Sequence, residues 1–218
     1  MKQNILIGEH LRPVLCPSPM APPARQKEDH MTFYIDSKKM GSSRQISELL
    51  KKCILRHSGI WREIVFLCIG TDRTTGDCLG PYVGQQLLGH SIQGISVYGT
   101  LANPVHALNL EDACIHIRKH HPEALVIAID ASLGQKKHLG YVTIGNGALY
   151  PGAAVRKELP PVGDIHITGI VNTAGVLEHL TLQTTRLSTV ISLADKITQG
   201  ILSAIPSSYP VQALIQKL

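Results

Sequence analysis

Residues 64–81 read IVFLCIGTDRTTGDCLGP, and they contain two features that decide the fold. The first is an unbroken apolar run from Ile64 to Ile69, which Gly70 ends. An apolar run without alternation predicts a strand that is buried on both faces of a sheet, as in parallel sheets covered by helices. The second is a loop rich in Gly and Thr, after which Pro81 is typical of the first turn of a helix. This stretch therefore predicts a strand, a loop and a helix in succession.

The same alternation continues along the chain. Residues 125–129 form a second continuous apolar run, and we expect this buried strand to end at Asp130. Further strands are predicted over residues 92–97, 141–144 and 165–170. Helical apolar periods cover residues 46–54, 83–88, 109–120 and 187–201. Strands that alternate with helices predict an α/β fold with a doubly wound, mostly parallel sheet.

Domain organisation follows from the ends of the chain. Residues 1–31 are rich in proline and have no apolar period, so we expect a flexible N-terminal tail. Residues 32–218 then form one domain, which we expect to open with the helix over residues 46–54. A capping box, Ser42-x-x-Gln45, is expected to start this helix, and Gly59 and Pro206 are expected to end the first and last helices.

Composition argues against several classes of protein. The net charge of +5 comes from scattered lysine doublets, and aromatic residues make up only 4% of the chain, which argues against a nucleic-acid partner. No apolar run approaches the roughly 20 residues of a membrane span, and we expect no secretory leader. The five cysteines form no C-x-x-C pair, so we expect a reducing cytoplasm rather than a disulfide framework. An oligomer is compatible with the sequence.

Two acidic side chains stand out by position. In parallel sheets ligands bind at the carboxyl ends of the strands, where Asp130 and one of the loop aspartates, Asp72 or Asp77, are expected. Partial burial should raise the pKa of Asp130, and the following helix N-terminus should keep Asp77 ionised. Such a pair suits general acid–base chemistry. The alternative is structural, in which Asp77 caps a helix and Asp130 orders a loop.

Other chemistry finds less support in the sequence. The glycine-rich loop has neither nucleotide-binding fingerprint, so we expect no nucleotide cofactor. Asp72 and Arg73 can form a local ion pair, and Cys78 with His106 is an unspecific nucleophile pair. The histidines show no metal-binding spacing, so we expect no metal.

Several segments together resemble the YyaC-type sporulation proteins. The most specific is the loop that begins with residues 67–69 and ends Asp77-Cys78-Leu79-Gly80-Pro81. The others are residues 98–101, 104–107, 128–131, 167–172 and 182–187. That family is similar to germination protease and, more remotely, to hydrogenase maturation proteases. The resemblance implies a three-layer α/β/α sandwich of the phosphorylase/hydrolase-like type.

The resemblance also implies site residues. Germination protease is regarded as using two aspartates, and its motifs are similar to those around Asp77 and Asp130. Hydrogenase maturation proteases have a metal-binding histidine where Asn172 stands here, which argues against a transition metal. Asn172 could instead hydrogen-bond a substrate carbonyl. Asp72 is a further substrate-binding candidate, and residues 151–163 are expected to line the cleft.

We therefore expect an aspartate-type endopeptidase whose partner is a protein or peptide substrate. The resemblance implies small acid-soluble spore proteins as the substrate and the forespore or spore core as the location. The alternative is a catalytically inactive, protease-like protein with a binding or regulatory role in sporulation.

Overall fold

The computed structural model describes residues 32–57, 61–90, 92–152 and 159–205. These residues form six strands: β1 (Thr32–Asp36), β2 (Glu63–Cys68), β3 (Ile95–Tyr98), β4 (Ala124–Gly134), β5 (Tyr141–Asn146) and β6 (Ile165–Thr173). They also form five α-helices: α1 (Ser42–Arg56), α2 (Leu79–Leu88), α3 (Leu110–His120), α4 (Glu178–Gln183) and α5 (Leu187–Ala204). None of these helices has the length and apolar character that crossing a membrane requires. The tail predicted over residues 1–31, Gly59 and Pro206 lie outside the described residues.

The strands form a single mixed sheet in the order β1-β5-β6-β4-β2-β3. Parallel pairing joins β3 to β2, β2 to β4, and β4 to β6. Antiparallel pairing joins β6 to β5 and β5 to β1. The predicted α/β class is confirmed, and the parallel half of the sheet contains the strands that carry the candidate site.

Strand β2 is buried on both faces, as its unbroken apolar run predicts. Its side chains alternate between two apolar clusters, as period-two geometry requires. The first cluster contains Ile64, Phe66 and Cys68 together with residues of α1, α2 and α5. The second contains Val65, Leu67 and Ile69 together with Leu110 and Ile117 of α3. The parallel strands are therefore fixed in place by apolar contacts on both sides.

The start of the domain differs from the prediction. The first element is strand β1, which pairs antiparallel with β5, rather than a helix. Helix α1 has Gly41 as its N-cap, with a φ of 81°, and no side chain caps it. The predicted capping box is absent because the Ser42 hydroxyl donates to the carbonyl oxygen of Ser37, 3.1 Å away.

Strand β4 is longer than the apolar run predicted. It does not end at Asp130 but continues to Gly134, because these residues pair with β6 from Thr168 to Thr173. The pairing shifts register at Ser132 and Leu133, which marks a bulge or irregularity. Asp130 therefore lies within a strand that has a neighbour, and its main chain is fixed more firmly than a strand end would be.

Candidate active site

A cleft of about 280 Å³ opens where β2 ends and where β4 and β6 continue beside each other. Asp77 and Asp130 both line it. The carboxyl ends of parallel strands meet at one edge of a sheet, so residues distant in sequence come together there. The expected convergence of these two side chains is therefore observed.

Asp130 is held by the sheet. The residue is only 8% exposed, and its Oδ1 accepts a hydrogen bond from the N–H of Ala131 at 2.7 Å. Its main chain lies opposite Thr168 in the ladder between β4 and β6. This carboxyl consequently has little freedom to turn towards water.

Asp77 is held by a tight turn instead of a strand. It belongs to a short 3-10 helix, Thr75–Cys78, directly before α2. The N–H of Thr71 donates to the carbonyl oxygen of Asp77 at 3.2 Å. Gly70 makes this closure possible, since its φ of 135° disfavours other residues and a Cβ there would collide with that same carbonyl oxygen. The Gly70 backbone thus places Asp77 over the end of β2.

Burial raises the pKa of both carboxyls. For Asp130, desolvation raises the pKa well above its ordinary value, the charge of Asp77 raises it further, and the Ala131 N–H acts in the opposite direction. For Asp77, desolvation also raises the pKa, although the Thr71 backbone and His106 lower it. The expectation for Asp130 is confirmed. The helix N-terminus was expected to favour the ionised form of Asp77, but the net change in its pKa is upward, because desolvation outweighs the groups that lower it.

His106 lines the same cleft and was not predicted as part of the aspartate site. The residue before it, Val105, bridges to Ile69 beyond β2, and its carbonyl oxygen accepts the N–H of Gly70 at 2.8 Å. The N–H of Leu108 donates to Nδ1 of His106 at 3.3 Å, so the neutral ring carries its proton on Nε2. This imidazole therefore has a fixed tautomer in the wall beside Asp77.

The alternative partner of His106, Cys78, does not lie on the cleft wall. Cys78 packs against the apolar core, and burial raises the pKa of its thiol, with the charges of Asp72 and Asp77 adding to the effect. A thiol with a raised pKa is a poor nucleophile at neutral pH. The geometry favours the two carboxyls over a cysteine–histidine pair.

Three hydroxyl groups form a chain beside Asp130. The hydroxyls of Thr143 and Thr168 are 2.7 Å apart, and those of Thr168 and Ser132 are 3.1 Å apart. Ser132 also donates to the carbonyl oxygen of Gly169 at 3.4 Å. Thr168 and Ser132 line the cleft, which gives it a polar floor.

Much of the rest of the cleft lining is apolar. It includes Leu149, Pro151, Gly152, Leu159 and Leu182. Residues 151, 152 and 159 belong to the segment expected to line the cleft, whereas residues 153–158 lie outside the described part of the chain. A lining with polar and apolar parts suits a ligand with both kinds of surface.

Asp72 and Asn172 do not lie among the residues that line the cleft. Asp72 is exposed on the loop before Asp77. Asn172 donates through Nδ2 to the carbonyl oxygen of Thr181 at 3.1 Å and to the hydroxyl of Thr185 at 3.2 Å. Its amide thus joins β6 to the α4 region, and the substrate-binding role of both residues stays a prediction. Within the described ranges, no three His, Cys, Asp or Glu side chains form a group that could hold a metal ion.

Comparison with known proteins extends the sequence resemblance. A family model, described as protein of unknown function (DUF1256), matches residues 34–200. The chain is also 43% identical over 174 residues to "Uncharacterized protein YyaC" of Bacillus subtilis (strain 168). This match covers 80% of the chain and 84% of the relative. The YyaC-type assignment is therefore confirmed, while the likeness to germination protease stays a prediction.

Proposed function

We propose that this chain, which belongs to the DUF1256 family, is an aspartate-type endopeptidase. The observation that carries the proposal is the pair of Asp77 and Asp130 in one cleft, with burial raising the pKa of both and that of Asp130 further. Two neighbouring carboxyls with unequal pKa values share one proton over a range of pH. In that range Asp130 holds the proton and Asp77 is ionised.

The division of roles follows from this distribution of charge. Asp77 accepts a proton from water as the water oxygen attacks the peptide carbonyl carbon. Asp130 donates its proton to the amide nitrogen as the C–N bond breaks, so one proton enters the pair and one leaves it. The Nε2–H of His106 is available to stabilise charge on the carbonyl oxygen or on Asp77.

The form of the cleft supports a peptide as the substrate class. Its polar floor, which includes Thr168 and Ser132, can meet main-chain groups, and the apolar part of its lining can meet side chains. Among peptides, the resemblance to germination protease favours small acid-soluble spore proteins in the forespore or spore core.

We also propose that the fold is a three-layer α/β/α sandwich of the phosphorylase/hydrolase-like type with a mostly parallel sheet. Two observations support this assignment. Side chains of β2 enter two separate apolar clusters, one containing α1, α2 and α5 and the other containing α3. Five of the six strands run in one direction, with β5 alone reversed.

A second candidate function is a protease-like binding protein without catalysis. It is favoured by the burial of Asp130, which is 8% exposed and bonded to the Ala131 N–H. In that case the carboxyl stabilises the end of the sheet, and the cleft binds a peptide of sporulation without cleaving it.

The test compares four proteins on small acid-soluble spore proteins: wild type, Asp77→Asn, Asp130→Asn and the control Asp112→Asn on the exposed side of α3. We expect the rate of cleavage to fall by about 10²–10⁴-fold in Asp77→Asn and in Asp130→Asn, which is the usual contribution of general acid–base groups. The control should cleave at the wild-type rate. Rates are followed by mass spectrometry, and thermal melting confirms that every variant is folded. Equal rates in all four proteins would exclude the aspartate mechanism, and absence of cleavage by folded wild type would favour the binding protein.

A further inference from the structure

A second groove adjoins the cleft at His106. It has a volume of about 540 Å³ and is lined by the loop from Gly99 to His106, by the last two residues of β3 and by Leu88 at the end of α2. His106 lines both the cleft and this groove. The two cavities are therefore neighbours that share one side chain as a wall.

The groove lies at the carboxyl end of β3. Strand β3 is the last strand in the order, and the two of its residues that line the groove, Val97 and Tyr98, end the strand. The cleft opens where β2 ends, on the same edge of the sheet. An extended peptide in the cleft can therefore cross over the end of β2 and enter the groove.

The side chains of the groove favour uncharged ligands. Of the described residues that line it, none is Asp, Glu, Lys or Arg. Leu88 is 55% exposed at one end, which is a large exposure for a leucine in a concave surface. Asn103 is exposed on the loop, and its side-chain amide has no hydrogen bond to any part of the chain that the structure describes. These groups suit an apolar or uncharged polar side chain.

The spacing of the strands sets the length of peptide involved. Asp130 lies on β4, and β2 alone separates β4 from β3. Neighbouring strands are about 4.8 Å apart, so β4 and β3 are separated by roughly 10 Å. An extended chain covers about 3.3 Å per residue, and therefore roughly three residues span this distance.

We infer that the groove at the β3 edge binds the part of a peptide substrate about three residues from the cleaved bond, and that it selects uncharged side chains there. The inference rests on the proposed function, since it assumes that the cleft binds a peptide. Its occupant is the same peptide that reaches Asp77 and Asp130.

The experiment uses a degenerate decapeptide mixture and three proteins: wild type, Leu88→Lys and Leu187→Lys. Leu187 is the matched control, because it is also 55% exposed but lines neither cavity. Mass spectrometry gives the residue frequencies around each cleaved bond. The same mixture is passed over the three proteins immobilised in an Asp130→Asn background, and retained peptides are sequenced.

We expect wild type to disfavour charged residues about three positions from the cleaved bond on one side. Leu88→Lys should raise the frequency of Asp and Glu at that position by roughly fivefold, and Leu187→Lys should leave the profile unchanged. If Leu88→Lys changes which peptides are retained but no protein cleaves any peptide, the groove binds peptides and the proposed peptidase activity is rejected. If all three proteins cleave with the same residue profile, the role of the groove is rejected and the peptidase activity stands. If no peptide is retained or cleaved, both proposals are rejected.

Discussion

The carboxyl of Asp130 occupies a place where an ionised group is costly. It is almost fully buried on β4, and the charge of Asp77 adds to the desolvation that raises its pKa. Asp77 is half-buried, and His106 and the Thr71 backbone partly offset the rise in pKa that its desolvation causes. The difference between the two residues therefore comes from their neighbours, and this difference is what the proposed chemistry uses.

A substitution at His106 tests whether neighbouring groups cause the difference between the pKa values of Asp77 and Asp130. In its charged form His106 lowers the pKa of Asp77, so His106→Gln should raise the pKa of Asp77 further. Fewer molecules then have Asp77 ionised at mildly acidic pH. We expect kcat/KM at that pH to fall by roughly tenfold, which is less than the loss expected when a general acid or base is removed altogether. The acidic limb of the pH–rate profile should move to higher pH.

Carbon-13 NMR titration of the carboxyls measures the same change without relying on activity. The control is His116→Gln, on the exposed side of α3. An Asp77 titration identical in wild type and His106→Gln would contradict the assigned influence of His106.

The sequence predicted some site residues and not others for a physical reason. Asp130 directly follows an apolar run, so a local pattern and the rule for parallel sheets were enough to place it, whereas Asp77 was chosen over Asp72 through the family resemblance. Pairing between distant segments brings His106 and Thr168 to the site. Val105, next to His106, pairs with Ile69, and Thr168 pairs with Asp130. The pKa of Asp77 was misjudged because it depends on packing around the turn, and no local pattern encodes that burial.

At the scale of elements, β4 and β6 form the frame of the site. Their pairing continues beyond the end of β2 and brings Thr168 opposite Asp130. The antiparallel neighbour β5 contributes Thr143, whose hydroxyl contacts that of Thr168 at 2.7 Å. The position of the candidate acid thus depends on three strands at once.

A double-mutant cycle measures the link between β5 and β6. Thr143→Val leaves the buried hydroxyl of Thr168 without this partner, and we expect a loss of about 1–3 kcal/mol in the free energy of unfolding. Thr168→Val should cost a similar amount, but the double variant should cost less than the sum by about 0.5–3 kcal/mol. Urea denaturation gives all four values. Strict additivity would show that the two hydroxyls do not interact.

Elements were predicted well where their apolar pattern is local and continuous. Strand β2 and helix α3 were expected close to their observed bounds because each buries a regular set of side chains, whereas β4 continues four residues past the predicted end through its pairing with β6. Strand β1 was missed because it is a short edge strand that exists through pairing with β5, far along the chain. Helix α4 was missed because it spans only Glu178–Gln183 and buries little besides Leu182.

At the scale of the whole molecule, two carboxyls with raised pKa values make stability depend on pH. The folded protein retains protons that the unfolded chain releases, so the free energy of unfolding decreases as pH rises from the ordinary Asp pKa of 3.8 through the raised values. Below that pH window both carboxyls are protonated in the folded and the unfolded state, and their raised pKa values cost no stability. Above the window both carboxyls are ionised in both states, and the free energy of unfolding is reduced by the full amount.

Asp130→Asn should remove most of this dependence. An amide keeps an oxygen for the Ala131 N–H and carries no charge at any pH in this range. Each unit of pKa difference corresponds to about 1.4 kcal/mol, and 1 kcal/mol corresponds to roughly 2–4 °C in a chain of this size. We therefore expect the variant to melt several degrees above wild type at pH 8 and close to wild type at pH 4.

Calorimetry from pH 4 to pH 8 measures the melting temperatures of wild type and Asp130→Asn and tests this prediction. A variant at Asp112, which is exposed on α3, provides the baseline for removing one carboxylate from the surface. If Asp130→Asn and Asp112→Asn shift the melting temperature equally at pH 8, burial of the Asp130 charge does not govern stability.

The hydroxyls beside Asp130 can reverse their polarity. Each hydroxyl has a single hydrogen, and in the pairs Thr143–Thr168 and Thr168–Ser132 either oxygen can donate it. The bond from Ser132 to the carbonyl oxygen of Gly169 is long, at 3.4 Å, and does not hold the Ser132 hydrogen in one direction. Ser132 can therefore offer a bound molecule either a lone pair or its hydrogen, so this part of the cleft can meet a main-chain N–H or a carbonyl.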